Sequence, residues 1–391
     1  MEEGEEELAN KESTRREELE AAHDYRRQLQ ERSAEGYEVA GKEARLRWVD
    51  DHRELLADIA TTSWGPEPTG LGFAEFKKEL DGTPLFTPHD DPLTQSLIAM
   101  LCEEVENACR DLGIPLRSGI ASGSTPALQI NAERYSVPLT EASVLSLSSG
   151  FITFCSHVSK VFSLSVLHEA DDHEIRVSCN PKLVIAKIGA SEDLKGYWTR
   201  LFGAYAFGSG PLEFEHRLVS YPASVTRIRL LQSMERFSVA HEYAHHIADH
   251  GRREIIGAGK DPEAIGEEFE ADLFALSLDR YIGTWSNPFS ASGAAAVLPL
   301  KCLECVNRVR RVFLTGDDVA PPRTTHPETE DRIAAFDGSD ELAPDHAKRS
   351  FKAMREDFSV IVDEVYKRVR PIYVEMHKQG LRPLDSTEWL P

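Results

Sequence analysis

The residues best suited to chemistry in this sequence lie in His241-Glu242-Tyr243-Ala244-His245, an H-E-x-x-H pattern. Apolar and small residues recur around it without Pro or Gly, which predicts a helix. Residues four apart share one face of an α-helix, so His241 and His245 can direct two imidazoles at one metal ion. Glu242 stands beside the first histidine, where its carboxylate can reach a water on that metal. The pattern predicts a zinc hydrolase site; the alternative is a coincidental pair of surface histidines.

The next residues exclude one class of zinc peptidase. The metzincin pattern H-E-x-x-H-x-x-G-x-x-H would need Gly at position 248 and His at position 251. This chain has Ala248 and Gly251, and His250 stands one place early. The other common solution takes the third ligand from a second helix, about 20–30 residues further on.

A second helix is predicted from Pro262 to Tyr281, and it carries a cluster of carboxylates. Glu268 and Asp272 are four residues apart. Glu268 can therefore bind the metal while Asp272, on the same face, orients a ligand histidine from behind. Glu267 and Glu270 are expected to point elsewhere and to be solvated, a choice that depends in part on a family resemblance.

Composition limits the possible partners. The 391 residues include 44 basic and 66 acidic ones, for a net charge of −22. Such a surface repels nucleic acid and anionic membranes, so neither is an expected partner. No run approaches the ~18 apolar residues of a membrane span. The acidic start, residues 1–7, is unlike a signal peptide, so a cytoplasmic location is the default expectation.

The chain is predicted to have three parts. Residues 1–62 form a charged, partly disordered or helical arm, either for a partner or as a packed accessory helix. Residues 63–340 form the metallopeptidase domain, with an insert of charged loops at about 167–230. Residues 341–391 form a C-terminal helical segment. The one C-x-x-C, Cys302 to Cys305, is interpreted as a reduced structural pair because no second pair stands at zinc-finger spacing.

The fold class predicted from these patterns is α+β, with a zincin-like core: a small sheet with an edge strand, the H-E-x-x-H helix and the ligand-bearing second helix. Ser118–Thr125 is interpreted as a Gly/Ser loop, and Phe151–Phe154 as either a strand or the start of a helix. The predicted strands are Ala127–Ala132, Val144–Ser148 and Ile175–Cys179. The other predicted helices are Asp91–Leu112, Leu303–Phe313 and Asp345–Arg370, the last ended by Pro371. Trp285–Pro299 is predicted to be a connection.

Several separated segments together resemble one family, the gluzincin metallopeptidases of the HtpX and CAAX prenyl-protease group. That group has an N-A strand, a small-Gly turn, H-E-x-x-H, E-x-x-A-D, and H-P followed by an Arg. The matching segments here are Asn131-Ala132, Ser149-Gly150, His241–His245, Glu268–Asp272 and His326-Pro327 with Arg332. The ImmA/IrrE-type regulatory peptidases are a near alternative. Most members of the group are embedded in membranes, and this chain departs from them in having no span.

The resemblance implies a role for each matched position. His241, His245 and Glu268 would bind Zn²⁺, and Glu242 would be the general base. Asp272 would support the ligands, and His326 would steady the oxyanion. Asn131 and Ala132 would lie beside the bound substrate.

The expected function is that of a soluble zinc-dependent endopeptidase acting on a protein or peptide substrate, with a possible regulatory partner at the N-terminal arm. The alternative is a catalytically silent zinc-stabilised regulatory or interaction module. An intact Glu242 favours the enzyme, because a purely structural site has no use for that base.

Overall fold

A computed structural model describes residues 2–33, 42–54, 73–170, 175–208, 219–250, 262–283, 287–319, 327–340 and 344–383. Contacts within the chain define two compact units. The first comprises Met1–Leu56, Leu71–Ile152 and Ser238–Ile255, and the second comprises Ala57–Gly70, Thr153–Phe237 and Ile256–Pro391. The described residues are mostly helical with a small mixed sheet, so the α+β prediction holds in this coarse sense.

The first unit contains the mixed sheet. Its strands are β1 (Ile120–Thr125), β2 (Ala132–Ser136) and β3 (Ser143–Ser148), and its helices are α1 (Glu2–Ser33), α2 (Lys42–Asp51), α3 (Phe73–Gly82) and α4 (Pro92–Asp111). The strand order is β1-β3-β2, with β1 parallel and β2 antiparallel to the central β3. Every residue of β3 is buried, as expected for a strand covered on both faces. In the part of the chain that the structure describes, β1 and β2 are the outer strands of this sheet, and each pairs with β3.

Helix α1 covers the free edge of β1. The carbonyl of Gly119, just before β1, accepts from the N–H of Ser143 in β3. Because backbone groups alternate in direction along a strand, the even-numbered residues of β1 direct their carbonyls away from β3. Arg26 Nη1 donates to the carbonyl of Ser122 at 2.8 Å, and Gln30 Nε2 donates to that of Ser124 at 2.5 Å. A Cβ on Gly123 would lie 1.2 Å from the Arg26 guanidinium, so only glycine allows this approach. These contacts favour a packed accessory helix over a free arm for residues 2–33.

The second unit is largely helical. Its elements are β4 (Leu167–Ala170), β5 (Ile175–Ser178), α6 (Pro181–Ala190), α7 (Glu192–Phe207), α9 (Pro262–Gly283), α10 (Pro288–Ser292), α11 (Ala294–Thr315), α12 (Thr329–Gly338) and α13 (Asp345–Lys378). Two helices, α5 (Ser149–Ser165) and α8 (Tyr221–Ile247), run from one unit into the other. Cys302 and Cys305 are buried, unbridged residues of α11, in agreement with a reduced structural pair.

Several sequence predictions are confirmed by these elements. The predicted helices at 91–112 and 262–281 correspond to α4 and α9, and the strands at 144–148 and 175–179 correspond to β3 and β5. Residues 151–154, left open between strand and helix, belong to α5. No helix in the described ranges is both long enough and apolar enough to cross a bilayer.

Other predictions were wrong. Ser118–Thr125, interpreted as a loop, contains β1, whereas Ala127–Ile130 is not a strand. The 167–230 segment contains α6, α7 and the start of α8 instead of mainly loops. Residues 285–299 contain α10 and the start of α11, and Pro371 lies inside α13 rather than ending it.

Candidate metal centre

The H-E-x-x-H pattern lies in the last two turns of α8, a helix of 27 residues. Phe237, Ala240, Tyr243 and Ala244 are each less than 5% exposed, so apolar packing holds this part of the helix on two sides. The Tyr243 hydroxyl also donates to Glu106 of α4 at 2.7 Å. The helix is therefore a rigid support for the side chains that it carries.

His241 and His245 direct the same ring nitrogen at a common point. Their Nε2 atoms are 3.1 Å apart, and their ring planes meet at 77°. Two nitrogens that each lie ~2.05 Å from one zinc ion at a tetrahedral angle are separated by about 3.3 Å. The spacing of the two imidazoles thus fits joint coordination of a metal ion of this size.

Glu268 of α9 completes a group of three. One nitrogen of each histidine and one carboxylate oxygen of Glu268 all lie within 4.8 Å of one another. His241 is buried, while His245 and Glu268 are half-buried. Two imidazole nitrogens and one carboxylate oxygen form a group that could hold a metal ion. This is the set of ligands that the sequence predicted.

Glu242, the predicted base, is 7% exposed on the same helix. It is three residues before His245, so the two share a face of α8. Its position next to two potential ligands agrees with the sequence pattern.

Asp272, predicted to support the ligands, is fully buried and forms a two-pronged ion pair with Arg332 of α12. Arg332 Nε donates to Oδ2 at 2.7 Å, and Nη2 donates to Oδ1 at 2.6 Å. This pairing neutralises a carboxylate one turn from Glu268 and fixes its orientation. His326, the predicted oxyanion group, lies outside the described residues.

A second buried carboxylate lies on the same stripe of α9. Asp279 is eleven residues after Glu268 and seven after Asp272, which places all three on one face of the helix. Asp279 accepts from Arg236 of α8 at 3.0 Å and from Ser233 at 2.5 Å. Burial raises the pKa of Asp279 even though the Arg236 charge opposes this effect. The ion pair joins α8 and α9 within the second unit.

The end of α8 is closed by a Schellman turn. The N–H of His250 donates to the carbonyl of His245 at 3.0 Å, and the N–H of Asp249 donates to that of His246 at 3.3 Å. Asp249 has φ 58°, the left-handed conformation that this turn requires. Because the turn reverses the chain, the His250 ring returns toward the helix. Its Nδ1 lies 3.0 Å from Nδ1 of His245.

His246 attaches the same helix end to the sheet. Its Nδ1 is 2.9 Å from the hydroxyl of Ser143 in β3, and its Nε2 is 3.3 Å from the carbonyl of Ser118. Burial, together with the positive charge of Arg134, lowers the pKa of His246 to about 4. His246 thus attaches the end of α8 to β3 and to Ser118.

The predicted substrate residues lie at the start of β2. The N–H of Asn131 donates to the Ser148 hydroxyl at 2.9 Å, and its carbonyl accepts from the N–H of Ser148 at 2.8 Å. Ala132 is the first residue of β2, and all five residues of this strand are half-buried. Asn131 is therefore fixed against β3, at the base of a partly exposed edge strand.

Two residues near the motif were not identified from the sequence. Arg134 of β2 donates to the carbonyl of His250 at 2.5 Å and to the Ser143 hydroxyl at 3.1 Å. No local pattern marks an arginine 111 positions before His245. His250 did carry a signal, because a histidine three residues beyond the end of a helix can fold back on its last turn.

A comparison of the chain with protein-family models, curated proteins and solved structures found no match. The chemistry of this site is therefore inferred from the geometry of His241, His245, Glu268 and their neighbours.

Proposed function

We propose that the protein is a zinc-dependent endopeptidase. The observation that carries the proposal is the grouping of His241, His245 and Glu268 within 4.8 Å, with Glu242 adjacent to the first histidine. Structural zinc sites are typically closed by four protein ligands, whereas catalytic sites combine three ligands with one open position. Three ligands and a neighbouring carboxylate match the catalytic arrangement.

The ligand types favour zinc over the hard cations. Calcium and magnesium prefer oxygen ligands, while imidazole nitrogen with one carboxylate suits zinc. A zinc ion bound with an open position supplies a nucleophile from water near neutral pH and polarises a carbonyl group. His241, His245 and Glu268 would hold the ion, and Asp272, fixed by Arg332, would support the ligands from the same face of α9, as the family resemblance implies.

Glu242 would move the proton. As general base it takes a proton from the attacking water, and it then gives that proton to the leaving amine. Glu242 is 7% exposed, so most of its side chain is shielded from bulk solvent. His326 would contribute a positive or donor group to the oxyanion, as the resemblance to the HtpX and CAAX prenyl-protease group implies.

The substrate would bind as an added strand at the edge of β2. The bonds of Asn131 and Val137 to β3 show that the odd-numbered residues of β2 pair inward, so Ala132 and Arg134 direct their backbone groups outward. The edge of β1 is already covered by Arg26 and Gln30. Of the two edges of this sheet, β2 is thus the one suited to pair with an extended peptide.

The ligand assignment is tested by zinc content. Glu268→Gln removes one charged ligand, whereas Glu270→Gln makes the same change at an exposed position of the same helix. Purified wild type and Glu270→Gln should bind one zinc per chain in native mass spectrometry, and Glu268→Gln should lose most of it. Equal zinc content in both variants would remove Glu268 from the site.

The activity is tested with Glu242→Gln, which keeps the three ligands. Both proteins are loaded with zinc and incubated with a library of proteome-derived peptides, and new N-termini are identified by mass spectrometry. We expect cleavage by wild type and a loss of at least about 10³-fold in the variant, since the step needs a base. Equal cleavage by both proteins would exclude the mechanism. No cleavage by either, with zinc bound, would favour the silent zinc-stabilised module.

A further inference from the structure

His250 lies where the second nitrogen of a metal ligand needs a partner. It is 6% exposed, and its Nδ1 is 3.0 Å from Nδ1 of His245. The Nε2 atom of the same His245 ring is the one that faces His241. One ring thus joins the candidate metal position on one side to His250 on the other.

The position of the protons follows from this geometry. A metal ion takes the Nε2 lone pair of His245, so a neutral His245 ring must carry its proton on Nδ1. Two Nδ1 atoms at 3.0 Å can form a hydrogen bond only if one of them carries hydrogen. His245 then donates, and His250 accepts with its Nδ1 lone pair while its own proton lies on Nε2.

We propose that His250 is a positioning residue: it accepts the Nδ1 proton of His245 and so holds that ring with its Nε2 lone pair directed at the metal. This inference rests on the proposed zinc site and adds a group to it. Many ligand histidines bond their second nitrogen to a carboxylate or a backbone carbonyl. Here the acceptor for the second nitrogen of His245 would be the imidazole of His250.

The helix end is built to keep His250 in this place. Asp249 has a φ of 58°, a left-handed backbone conformation that a residue with a Cβ rarely adopts. Its carboxylate pairs with Arg117, and the side chain of Arg134 is 3.7 Å away. Arg134 also donates to the carbonyl of His250 itself. Two arginines thus stabilise a strained turn whose result is to bring one ring against another.

The test compares His250→Phe with His250→Asn in the full-length protein. Phe keeps a ring of similar size but has no acceptor, whereas Asn places Oδ1 close to the position of the imidazole Nδ1. Zinc affinity is measured by competition with a chromophoric chelator, and folding of each variant is checked by circular dichroism. We expect His250→Phe to bind zinc about 10–100-fold more weakly than wild type, and His250→Asn to recover most of that loss.

The matched control is His246→Asn, which also removes a buried imidazole from the end of α8. The ring of His246 bonds Ser143 and Ser118, whereas the ring of His250 lies against His245. We expect a lower melting temperature with a much smaller change in zinc affinity. Equal affinity of wild type and His250→Phe would overturn the inference, and so would equal weakening in all three variants, because general packing would then explain it. A wild type that binds no zinc would overturn the proposed function as well. Wild-type binding with an unaffected His250→Phe would overturn this inference alone.

Discussion

The buried ion pair between Arg236 and Asp279 offers a quantitative test of how α8 and α9 are held together. The side chains are 7% and 1% exposed, and the charged atoms are 3.0 Å apart. Asp279→Asn keeps the shape of the side chain and its contacts with Ser233 and Ser290 but removes the negative charge that faces the Arg236 guanidinium. Breaking a buried pair in this way costs about 3–5 kcal/mol. We expect a loss of this size in the free energy of unfolding.

Substitution of the other partner in the ion pair, Arg236→Gln, should lower the free energy of unfolding by less. An arginine cannot release its proton in a protein, whereas a buried carboxyl can take one up. The pKa of Asp279 is already raised by burial, and removing the Arg236 charge would raise it further. A carboxyl with a raised pKa binds more protons in the folded state, so the stability of this variant should increase as the pH falls from 8 toward 5. Asp279→Asn has no carboxyl at this position, so it should show only the gain that Glu235 gives to all of these proteins as the pH falls.

Urea unfolding of the zinc-free proteins at pH 8 and pH 5 separates these effects. Tryptophan fluorescence is a suitable signal because Trp198 is fully buried in the same unit. The double variant should be more stable than the sum of the two single losses predicts, by at least about 1–2 kcal/mol, because neither charge is left alone. A loss below about 1 kcal/mol in Asp279→Asn, or a larger loss in Arg236→Gln at pH 5, would refute this account.

Two further predictions concern groups away from the metal centre. Burial raises the pKa of Glu235 to about 8 although Arg227 opposes the shift, so the folded protein loses stability as pH rises from about 4.5 to 8. In urea unfolding, Glu235→Gln should therefore be more stable than wild type by about 3 kcal/mol at pH 7 and by little at pH 5. A variant that is destabilised at pH 7 would contradict this. Arg26→Met should destabilise the protein by about 2–4 kcal/mol and speed hydrogen exchange in α1, because it removes the buried ion pair with Asp90. The control is Arg27→Met, which changes an exposed arginine of the same helix and should have little effect. Equal exchange in the two arginine variants would show that Arg26 does not hold α1.

The parts of the structure that local spacing determines were predictable. The H-E-x-x-H pattern and the Glu268–Asp272 spacing predict helices whose side chains share a face, and α8 and α9 are both helical there. The strand β3 was found because Leu145 and Leu147 alternate with serines. In each of these cases the residues that decide the conformation are neighbours in the sequence.

The strand β1 was missed for a reason that lies outside it. Its small residues resemble a loop, yet they are small because side chains from α1 lie against them. A Cβ at Gly123 would overlap the guanidinium of Arg26, almost a hundred residues away in sequence. The error at Ala127–Ile130 is the reverse one, because this apolar segment is not a strand; its backbone lies against Gly150, where a Cβ would be 2.2 Å from the carbonyl of Leu128. Composition cannot identify a strand whose small residues serve contacts with distant segments.

The choice of Glu268 as the candidate third ligand depends on which face of α9 each acid occupies. In sequence, Glu267, Glu268 and Glu270 are similar acids, and Glu268 was chosen partly for its four-residue spacing from Asp272 and partly from a family resemblance. In α9 the face is set by Asp272 and Asp279, which are buried against Arg332 and Arg236. Glu268 continues that stripe by four residues, whereas Glu270 lies on the exposed side. Asp272 and Asp279, paired with arginines far away in the sequence, thus mark the buried face of α9 on which Glu268 lies. The acids alone do not reveal that face.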